Sequence, residues 1–440
     1  MKNSRSSFHP YRYLRLLLVA VGIGSCLFAI RAAATYGFSH ILIRYAFTAG
    51  DLSAAKKAIQ LTPREADAHF ASGALLSFSG SPQQGIIELE NAVALRPADA
   101  RLWSELGLLR DQTGDTAGAL AAFDEAVKHA PYYSEPRWNR GNVLLRKGEY
   151  EAAFNDLNQA AQSNPELLPN LMDLAWSVAR GDVKLTEQLA QVKGAQMRIA
   201  FARLLVLKGK GKEALTQFAD AGSVAEPIRL ELVEKLLSKG AFSEAFDIWK
   251  TAPGVGGNTE AGRPAIYDGG FEGPLSFDQG GFNWRVPRSL QATTVGLDSG
   301  RPHSGAKDLK IEFAGESNPT ALVVGQLILL EPGKPDSAAA QSRSSSRRYQ
   351  VNFYARSQDV VSGGLPYINI SDASGIRKRL GQSASLGAGT HDWQPFSFEF
   401  TTTPETVAVI LSLQREGCTT SPCPIFGTIY LDSFSLEELK

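Results

Sequence analysis

Residues 100–133 read ARLWSELGLLRDQTGDTAGALAAFDEAVKHAPYY, and residues 134–167 repeat the pattern of small, aromatic and proline residues in this stretch. The period is 34 residues, and four sets of positions keep it: Pro63, Pro97, Pro131 and Pro165; Ala58, Ala92, Ala126 and Ala160; Gly73, Gly107 and Gly141; Gly80, Gly114 and Gly148. A fixed period of this length is typical of one supersecondary unit that is stacked several times.

Each unit is predicted to be a pair of short helices. The first helix of residues 100–133 carries Trp103, Leu106 and Gly107, and a turn follows at Gly114. The second helix ends at Pro131, which cannot continue it. We expect the small residues where the two helices cross closely and the large ones between neighbouring units. The side chains of the second helix in this pattern are Ala119, Phe123 and Ala126.

This set of residues resembles the tetratricopeptide repeat, whose signature joins W-x2-L-G to A-x3-F and a closing proline. Residues 134–167 carry it with Trp138, and residues 66–99 carry it with Gly85 in place of the usual alanine. Residues 50–63 look like the second helix of a preceding unit. The period breaks after Pro165 and returns weakly in residues 195–222 and 226–252. We therefore expect an all-α, superhelical solenoid over residues 50–252.

The resemblance implies a groove that binds a protein partner and is lined by the first helices of the repeats. The candidate positions are Phe70, Ala74, Phe78, Ser104, Leu108, Asp111, Gln112, Trp138, Asn142 and Arg146. Asn142 and Arg146 match part of the clamp that some relatives use for a terminal carboxylate. Residues Ser104, Leu108 and Asp111 do not supply the other part, so we do not expect that clamp. The alternative is that Phe70 and Trp138 belong to the packed core.

The N-terminus predicts export or membrane anchoring. Residues 1–15 hold four basic residues and no acidic residue, and residues 16–30 hold no charge. The basic end of such a segment stays in the cytoplasm. We expect a transmembrane anchor over residues 16–34 in the bacterial inner membrane, with the side chains of Arg15 and Arg31 reaching the two interfaces. The domains that follow would then be periplasmic or extracytoplasmic.

Two other interpretations of this segment stay open. Ala32, Ala33 and Ala34 offer the small residues of a signal-peptidase site, although Arg31 lies just before them. Residues 23–26, Ile-Gly-Ser-Cys, resemble a lipoprotein signal, although residues 27–30 stay apolar after Cys26. Each alternative would also deliver the rest of the chain across the membrane.

The C-terminal part is predicted to be an all-β domain. Residues 253–264 are rich in glycine and proline and form the predicted linker. After it, residues 265–440 show short runs of alternating apolar and polar residues, separated by Gly, Ser and Pro. The clearest alternation is Phe396, Phe398 and Phe400. We expect an antiparallel β-sandwich, specifically a jelly roll.

The order of motifs in this part resembles the galactose-binding-like jelly rolls of carbohydrate-binding modules. The motifs are 268–272 (DGGFE), 281–284 (GFNW), 303–311 (HSGAKDLKI), 349–356 (YQVNFYAR), 391–394 (HDWQ) and 429–434 (IYLDSF). The resemblance implies a structural calcium ion held by Glu272 and Asp432, with backbone carbonyls completing the shell. The alternative is that these two carboxylates cap strand ends or face solvent.

Sugar binding by such a domain needs exposed aromatic rings. Four residues are candidates: Trp284, Tyr354, Tyr367 and Trp393. Trp284 and Trp393 lie in motifs that build the core of the family, so the resemblance favours Tyr354 and Tyr367. The alternative is a sandwich that is purely structural or that contacts another protein.

The cysteine count allows one short disulfide and excludes a zinc cluster. The chain has three cysteines, of which Cys418 and Cys423 are close enough in sequence to close a small loop. In an oxidising compartment these two are expected to pair.

Composition and motifs argue against nucleic-acid binding and catalysis. The chain has 45 basic and 45 acidic residues, so it lacks the basic excess of a nucleic-acid binder. Its six histidines are scattered, and no Gly-x-Ser-x-Gly motif occurs. We expect no catalytic residue, and no cofactor apart from the calcium ion that the resemblance implies.

The sequence thus predicts a membrane-anchored cell-envelope scaffold that binds a protein through its repeats. The sandwich would contact a polysaccharide, in a setting such as exopolysaccharide assembly or export. Two other hypotheses remain: an accessory or weakly active polysaccharide-processing enzyme with chemistry in the sandwich, and a structural subunit that oligomerises through its repeats.

Overall fold

The computed structural model describes residues 10–253, 266–278, 280–316, 318–330, 346–374, 378–418 and 422–439. The start of the predicted basic segment and most of the predicted linker lie outside the described residues. Contacts divide the chain into two compact units, Met1–Val192 and Lys193–Lys440. The predicted order, a helical region followed by a β-sheet region, is confirmed.

The first unit is a succession of helices. Its elements are α1 (Pro10–Ala49), α2 (Leu52–Leu61), α3 (Ala66–Phe78), α4 (Pro82–Leu95), α5 (Ala100–Gln112), α6 (Thr116–His129), α7 (Ser134–Lys147), α8 (Tyr150–Ser163), a 3-10 turn (Pro165–Leu167), α9 (Leu168–Val178) and α10 (Val183–Leu189). Each helix up to α8 packs on the next, and the first helices α1, α3, α5 and α7 also pack in sequence. The predicted helical pairs are therefore present.

One contact explains the repeating glycines. A Cβ atom added to Gly73, Gly107 or Gly141 would lie 2.7–2.8 Å from the side chain of a residue on the second helix. Those residues are Leu89, Phe123 and Leu157, which are themselves 34 residues apart and almost fully buried. The first helix must therefore lack a side chain where this buried leucine or phenylalanine of the second helix crosses it.

A second contact repeats although its residue type changes. Side-chain nitrogens of His69, Trp103 and Arg137 lie 3.0, 2.8 and 3.1 Å from the carbonyl oxygens of Pro63, Pro97 and Pro131, respectively. Each contact joins the start of a first helix to the end of the preceding repeat. The next residue in this series is Leu171, which has no side-chain donor. The hydrogen bond is lost where the sequence period breaks.

Helix α1 differs most from the prediction. It is one helix of 40 residues, and its end is the first helix of the pair that α2 completes. Ser39, in register with Gly73, is fully buried, and its hydroxyl lies 3.3 Å from the carbonyl oxygen of Ala58. Residues 32–65 therefore form an additional repeat. Sequence inspection missed its first helix because a serine holds the glycine position inside an apolar run.

The same helix is long and apolar enough to cross a membrane. By length and composition alone, residues Leu14–Ala49 qualify as a candidate span, and none of its most apolar window is buried within the protein. The apolar segment predicted over residues 16–34 is therefore continuous with a helix of the repeats.

The second unit begins with four helices and continues into strands. The helices are α11 (Gly194–Leu207), α12 (Gly211–Asp220), α13 (Glu226–Ser238) and α14 (Phe242–Trp249). The strands are β1 (Ser276–Phe277), β2 (Arg285–Val286), β3 (Thr293–Asp298), β4 (Asp308–Glu316), β5 (Gly325–Leu329), β6 (Arg348–Ser362), β7 (Pro366–Asp372), β8 (Arg379–Gln382), β9 (Gly389–Thr401), β10 (Ala408–Arg415) and β11 (Pro424–Leu439).

The strands form two sheets around one core. One sheet has the order β1-β2-β5-β10-β7-β8 and the other has the order β3-β4-β11-β6-β9. Every pair is antiparallel except β1–β2. Alternate residues of both sheets, such as Ile370 and Leu411 in one and Ile311 and Phe353 in the other, meet in a single apolar cluster. The jelly-roll connectivity stays a prediction.

The last helices of this unit pack on its β-sheet part. Trp249 of α14 is almost fully buried, with its ring centroid 5.0 Å from that of Tyr267 and 5.4 Å from that of Phe282. Glu234 of α13 accepts a hydrogen bond of 3.1 Å from the backbone N–H of Gly280. The unit boundary thus falls at Val192 rather than in the predicted linker, because aromatic contacts cross that linker.

We predict that Gly107→Val destabilises the first unit by about 1–3 kcal/mol, because the new side chain would overlap the ring of Phe123. The measurement is the urea midpoint of the helical signal in circular dichroism. Ala117→Val, at an exposed position of α6, is the matched control and should change the midpoint little. Equal midpoints for the two variants would contradict the packing argument.

We predict that Trp249→Ala destabilises the second unit by about 3–5 kcal/mol, because it leaves a cavity between α14 and the strands. Scanning calorimetry should show a new, earlier transition as α13 and α14 lose their contact with the sheets. Phe426→Ala, which truncates an aromatic ring that is half exposed on β11, should leave the thermogram nearly unchanged. A single unshifted transition in the Trp249 variant would count against coupled folding of helices and sheets.

Candidate functional sites

Nine of the ten predicted groove residues lie in three rows on one face of α3, α5 and α7, and the tenth, Asp111, precedes Gln112 on α5. We call this surface the first-helix face. The rows are Phe70, Ser104 and Trp138; Ala74, Leu108 and Asn142; and Phe78, Gln112 and Arg146, with members of each row 34 residues apart. Successive rows are four residues apart along each helix, so they share a face.

The first row belongs mostly to the core. Phe70 is buried, with the guanidinium carbon of Arg101 4.4 Å from its ring centroid and the ring of Phe47 5.5 Å away. Ser104 is buried as well, and its hydroxyl has no hydrogen-bond partner among the described residues. Trp138 is half-buried. Phe70 is predicted to contact a partner, but Phe47 of α1 and Arg101 already cover its ring.

The third row is the accessible one. Phe78 is 89% exposed, and Gln112 and Arg146 are also exposed. Arg146 binds Asp111, with nitrogen–oxygen distances of 2.5 and 2.6 Å, which links α7 to α5. Asn142 of the middle row donates to the carbonyl oxygen of Trp138, 2.9 Å away on its own helix. Asn142 and Arg146 thus already have partners in the chain.

Alternating charges border this face. Asp67, Arg101 and Glu135 hold equivalent repeat positions, and Arg101 binds Asp67 at 3.0 Å. Burial, reinforced by the negative charge of Glu135, raises the pKa of Glu105 between them. The sequence does not predict this set, because charged residues 34 apart are also typical of a solvated surface.

The outer surface of the five-stranded sheet carries a cluster of aromatic rings. We call the cluster of His303, Tyr354, Arg356, Trp393 and Tyr430 the outer sheet cluster. The rings of His303 and Tyr354 stack at 3.6 Å with an interplanar angle of 17°. The guanidinium carbon of Arg356 lies 3.6 Å from the ring centroid of Tyr430 and 5.4 Å from that of Trp393.

The structure separates the aromatic candidates. Tyr367 is only 5% exposed, and its hydroxyl bonds Gln414 and Arg379, so it presents no free ring face and its prediction as a sugar-stacking residue is wrong. Trp284 is in the core, as the family motif indicated. Tyr354 and Trp393 are both half-exposed in the outer sheet cluster. The expectation that Trp393 builds the core is also wrong, because it lies on the solvent side of β9.

Glu272 and Asp432, the two carboxylates predicted to bind calcium, both accept hydrogen bonds from the loop before β4. Glu272 accepts a hydrogen bond of 2.7 Å from the backbone N–H of Ala306. Asp432 is fully buried and accepts bonds of 2.9 and 2.6 Å from the N–H groups of Ser304 and Ser433. Protein donors occupy both oxygens of Asp432 and one oxygen of Glu272, and no three acidic, histidine or cysteine residues within the described ranges converge on a cation position, so we derive no role for calcium.

Asp308 is the unusual carboxylate of this region. It opens β4, is fully buried, and neither of its oxygens has a hydrogen-bond partner in the described chain. Burial raises its pKa from 3.8 to about 6, with repulsion from Asp298 adding to the rise and Arg356 opposing it. The sequence does not predict the burial of Asp308, because this residue occupies an outward-facing position of its strand and would ordinarily be solvated.

A disulfide joins Cys418 and Cys423. The buried guanidinium of Arg415 holds the end of their loop by donating to the carbonyl oxygens of Cys423, at 2.9 Å, and Gly364, at 3.2 Å. Arg415 thus holds Cys423, next to the start of β11, at the end of β10.

We predict that Asp308 makes the second unit less stable as pH rises. Between pH 3.8 and 6 the folded state holds a proton that the unfolded state has lost, so the unfolding free energy falls across this window and is flat above it. Asp308→Asn removes the penalty and should raise stability at pH 8 by up to about 3 kcal/mol, with little effect at pH 4. Urea unfolding at both pH values measures it, and an equal effect of the variant at the two would refute it.

Comparison with known proteins supports the repeats. A tetratricopeptide repeat family model matches residues 135–167. Protein FlbA of Caulobacter vibrioides is 38% identical over 80 residues, which are 18% of this chain and 13% of FlbA. The chain thus spans a small part of the length of this relative.

Three solved structures are similar to this chain. The MamA protein is 18% identical, with 47% of this chain and 96% of MamA covered and a TM-score of 0.29. Pseudomonas aeruginosa pilF is 17% identical, with 51% and 94% covered and a TM-score of 0.30. YrrB, described as a TPR protein with an unusual peptide-binding site, is 17% identical, with 47% and 95% covered and a TM-score of 0.26. The tetratricopeptide repeat match thus covers residues 135–167, and the contacts described above show the same helical pairing in residues 66–134.

Proposed function

We propose that this protein is a non-catalytic scaffold, anchored in the bacterial inner membrane by α1, that binds a protein partner on its first-helix face. The observation that carries the proposal is the exposed row Phe78, Gln112 and Arg146, which recurs on three consecutive repeats. Repeated exposed positions on neighbouring helices give a partner evenly spaced contacts along one line.

The proposal that the protein is anchored in a membrane rests on helix α1. Its charge-free run, residues 16–30, is exposed along its whole length, and Arg15 and Arg31 flank it. An apolar helix surface of this extent is unfavourable in water and favourable in a bilayer. The basic N-terminal residues favour a cytoplasmic N-terminus, which would place the repeats and the sheets on the other side.

The partner half rests on the chemistry of the exposed row. Phe78 offers an apolar contact, Gln112 offers an amide and Arg146 offers a cation held in place by Asp111. An extended or helical peptide segment with one apolar anchor and at least one carboxylate would complement this order. Arg146 would then exchange or share the bond that it makes with Asp111.

We also propose that the outer sheet cluster contacts a polysaccharide. Aromatic rings beside a cation are the usual means of holding a sugar ring and an acidic substituent. Tyr354 and Trp393 are the half-exposed rings of the cluster, and Arg356 lies against Trp393. An acidic exopolysaccharide fits this set better than a neutral one.

The partner proposal is tested by affinity capture from membranes with the full-length chain as bait. The triple variant Phe78→Ala, Gln112→Ala, Arg146→Ala should lose the proteins that the wild type retains, at least tenfold by quantitative mass spectrometry. Tyr132→Ala is the matched control, because Tyr132 is an aromatic residue as exposed as Phe78 but lies in the turn before α7. Identical sets from the wild type and the triple variant would overturn the proposal.

The polysaccharide proposal is tested separately by calorimetric titration of the full chain with acidic and neutral bacterial polysaccharides. Trp393→Ala should weaken binding at least tenfold, whereas Phe426→Ala, on β11 away from the cluster, should not. If no polysaccharide gives a heat of binding with the wild-type chain, the polysaccharide proposal is overturned and the partner proposal is unaffected.

A further inference from the structure

Helix α1 carries an exposed apolar stripe that continues beyond its charge-free run. The stripe consists of Ile23, Leu27, Ile30, Ala34, Phe38, Ile41 and Tyr45, all of which are exposed. The steps between its members are four, three, four, four, three and four residues. This is an 11-residue repeat, which keeps the stripe on one side of a nearly straight helix.

The protein itself does not cover this stripe. The opposite side of α1 is the buried one, where Ser39, Ile43 and Ala46 pack on α2 and α3. Phe38, Ile41 and Tyr45 remain 55%, 64% and 53% exposed although they belong to the first repeat. A folded repeat that leaves three large apolar residues in a line on its surface has a site for a partner.

Lipid does not reach Ile41 and Tyr45 if α1 crosses the membrane. A helix rises 1.5 Å per residue, so these two residues lie about 10 and 16 Å beyond Ala34, where the predicted anchor ends. The headgroup layer adds only about 5–8 Å on each side of the hydrocarbon core. Because α1 continues as one helix from Ile30 to Ala49, its end stands away from the bilayer instead of lying on it.

A glycine in the same place also lacks an explanation within one chain. Gly37 lies inside α1 beside Ala34 and Ile41, and a Cβ atom added to it would meet no described atom within 4 Å. Glycine is unfavourable inside a helix, so nothing in the fold accounts for it. Small residues next to an apolar stripe let a second helix approach closely.

We propose that two copies of this chain pair in parallel through the stripe on α1. The inference rests on the proposed anchoring, because copies held in one membrane with the same orientation present the same residues at the same depth. Each stripe then meets its own image in register along its whole length, both inside and above the bilayer. Arg44 flanks the seam, and its long side chain can carry its charge outward.

Disulfide cross-linking of the full-length chain in native membranes tests the seam. Cys26 is exposed on α1 and is first replaced by serine. In that background, Ala34→Cys should give a product of twice the 47.4-kDa chain on mild oxidation. Ala32→Cys is the matched control, since Ala32 is also an exposed alanine but lies about 200° around the helix from residue 34. We expect at least fivefold less product from it.

A second measurement does not depend on cysteines. The purified full-length chain in detergent should have the protein mass of a dimer by light scattering. Ile41→Asp should halve that mass, whereas Ile87→Asp, at a similarly exposed isoleucine of α4, should leave it unchanged. A monomeric wild type would overturn the pairing.

The outcomes separate this inference from the proposed anchoring. Alkaline extraction of membranes shows whether the chain is embedded. Embedded chains with equal or no product from Ala34→Cys and Ala32→Cys would overturn the pairing and leave the anchoring in place, as would a product of any other mass. Release of the chain at alkaline pH would overturn both.

Discussion

The close approach of two helices at a missing side chain is the constraint on which the repeat region depends. Gly73, Gly107 and Gly141 each face a large residue of the second helix, and a single methyl group at those positions would lie within 2.7–2.8 Å of it. This contact fixes how the two helices of a pair cross. The crossing in turn sets where the next pair packs. The regular spacing of the exposed row on the first helices therefore depends on a contact that is itself buried.

The sequence predicted this part well because the constraint repeats. Small residues, large residues and prolines recur at one spacing, and each recurrence is independent support for the same unit. The prediction is weaker where one unit has another residue type in place of the glycine. Ser39 holds the glycine position with a buried hydroxyl that bonds the end of α2, so the sequence predicts only half of the first repeat. His69 and Arg137 likewise replace the indole of Trp103 as donors, which only the coordinates reveal.

The β-sheet part was harder to predict because its important contacts join residues far apart in sequence. The motif order indicated strands and an apolar core, and both are present. Which aromatic rings are exposed depends on strand pairing and on bulges, such as the register shift between Ala355 and Ser357 against β9. For this reason Tyr367 is buried although an exposed ring is expected, and Trp393 is half-exposed although a core residue is expected. The burial of Asp308 and the packing of Trp249 on Phe282 are likewise tertiary facts that no local pattern contains.

The uninterrupted course of α1 has a consequence for how the repeats face their surroundings. Helix α1 enters the first repeat without a break, so a rotation of its membrane segment about the helix axis also rotates the repeats. The direction in which the first-helix face points around this axis therefore depends on the number of residues between Arg31 and Ser39. One residue added there would turn the face by about 100°, and seven would return it to within about 20° of its original direction. The length of this short segment therefore sets the direction of the first-helix face and, because Ala34 and Phe38 lie within it, also the register of the apolar stripe on α1.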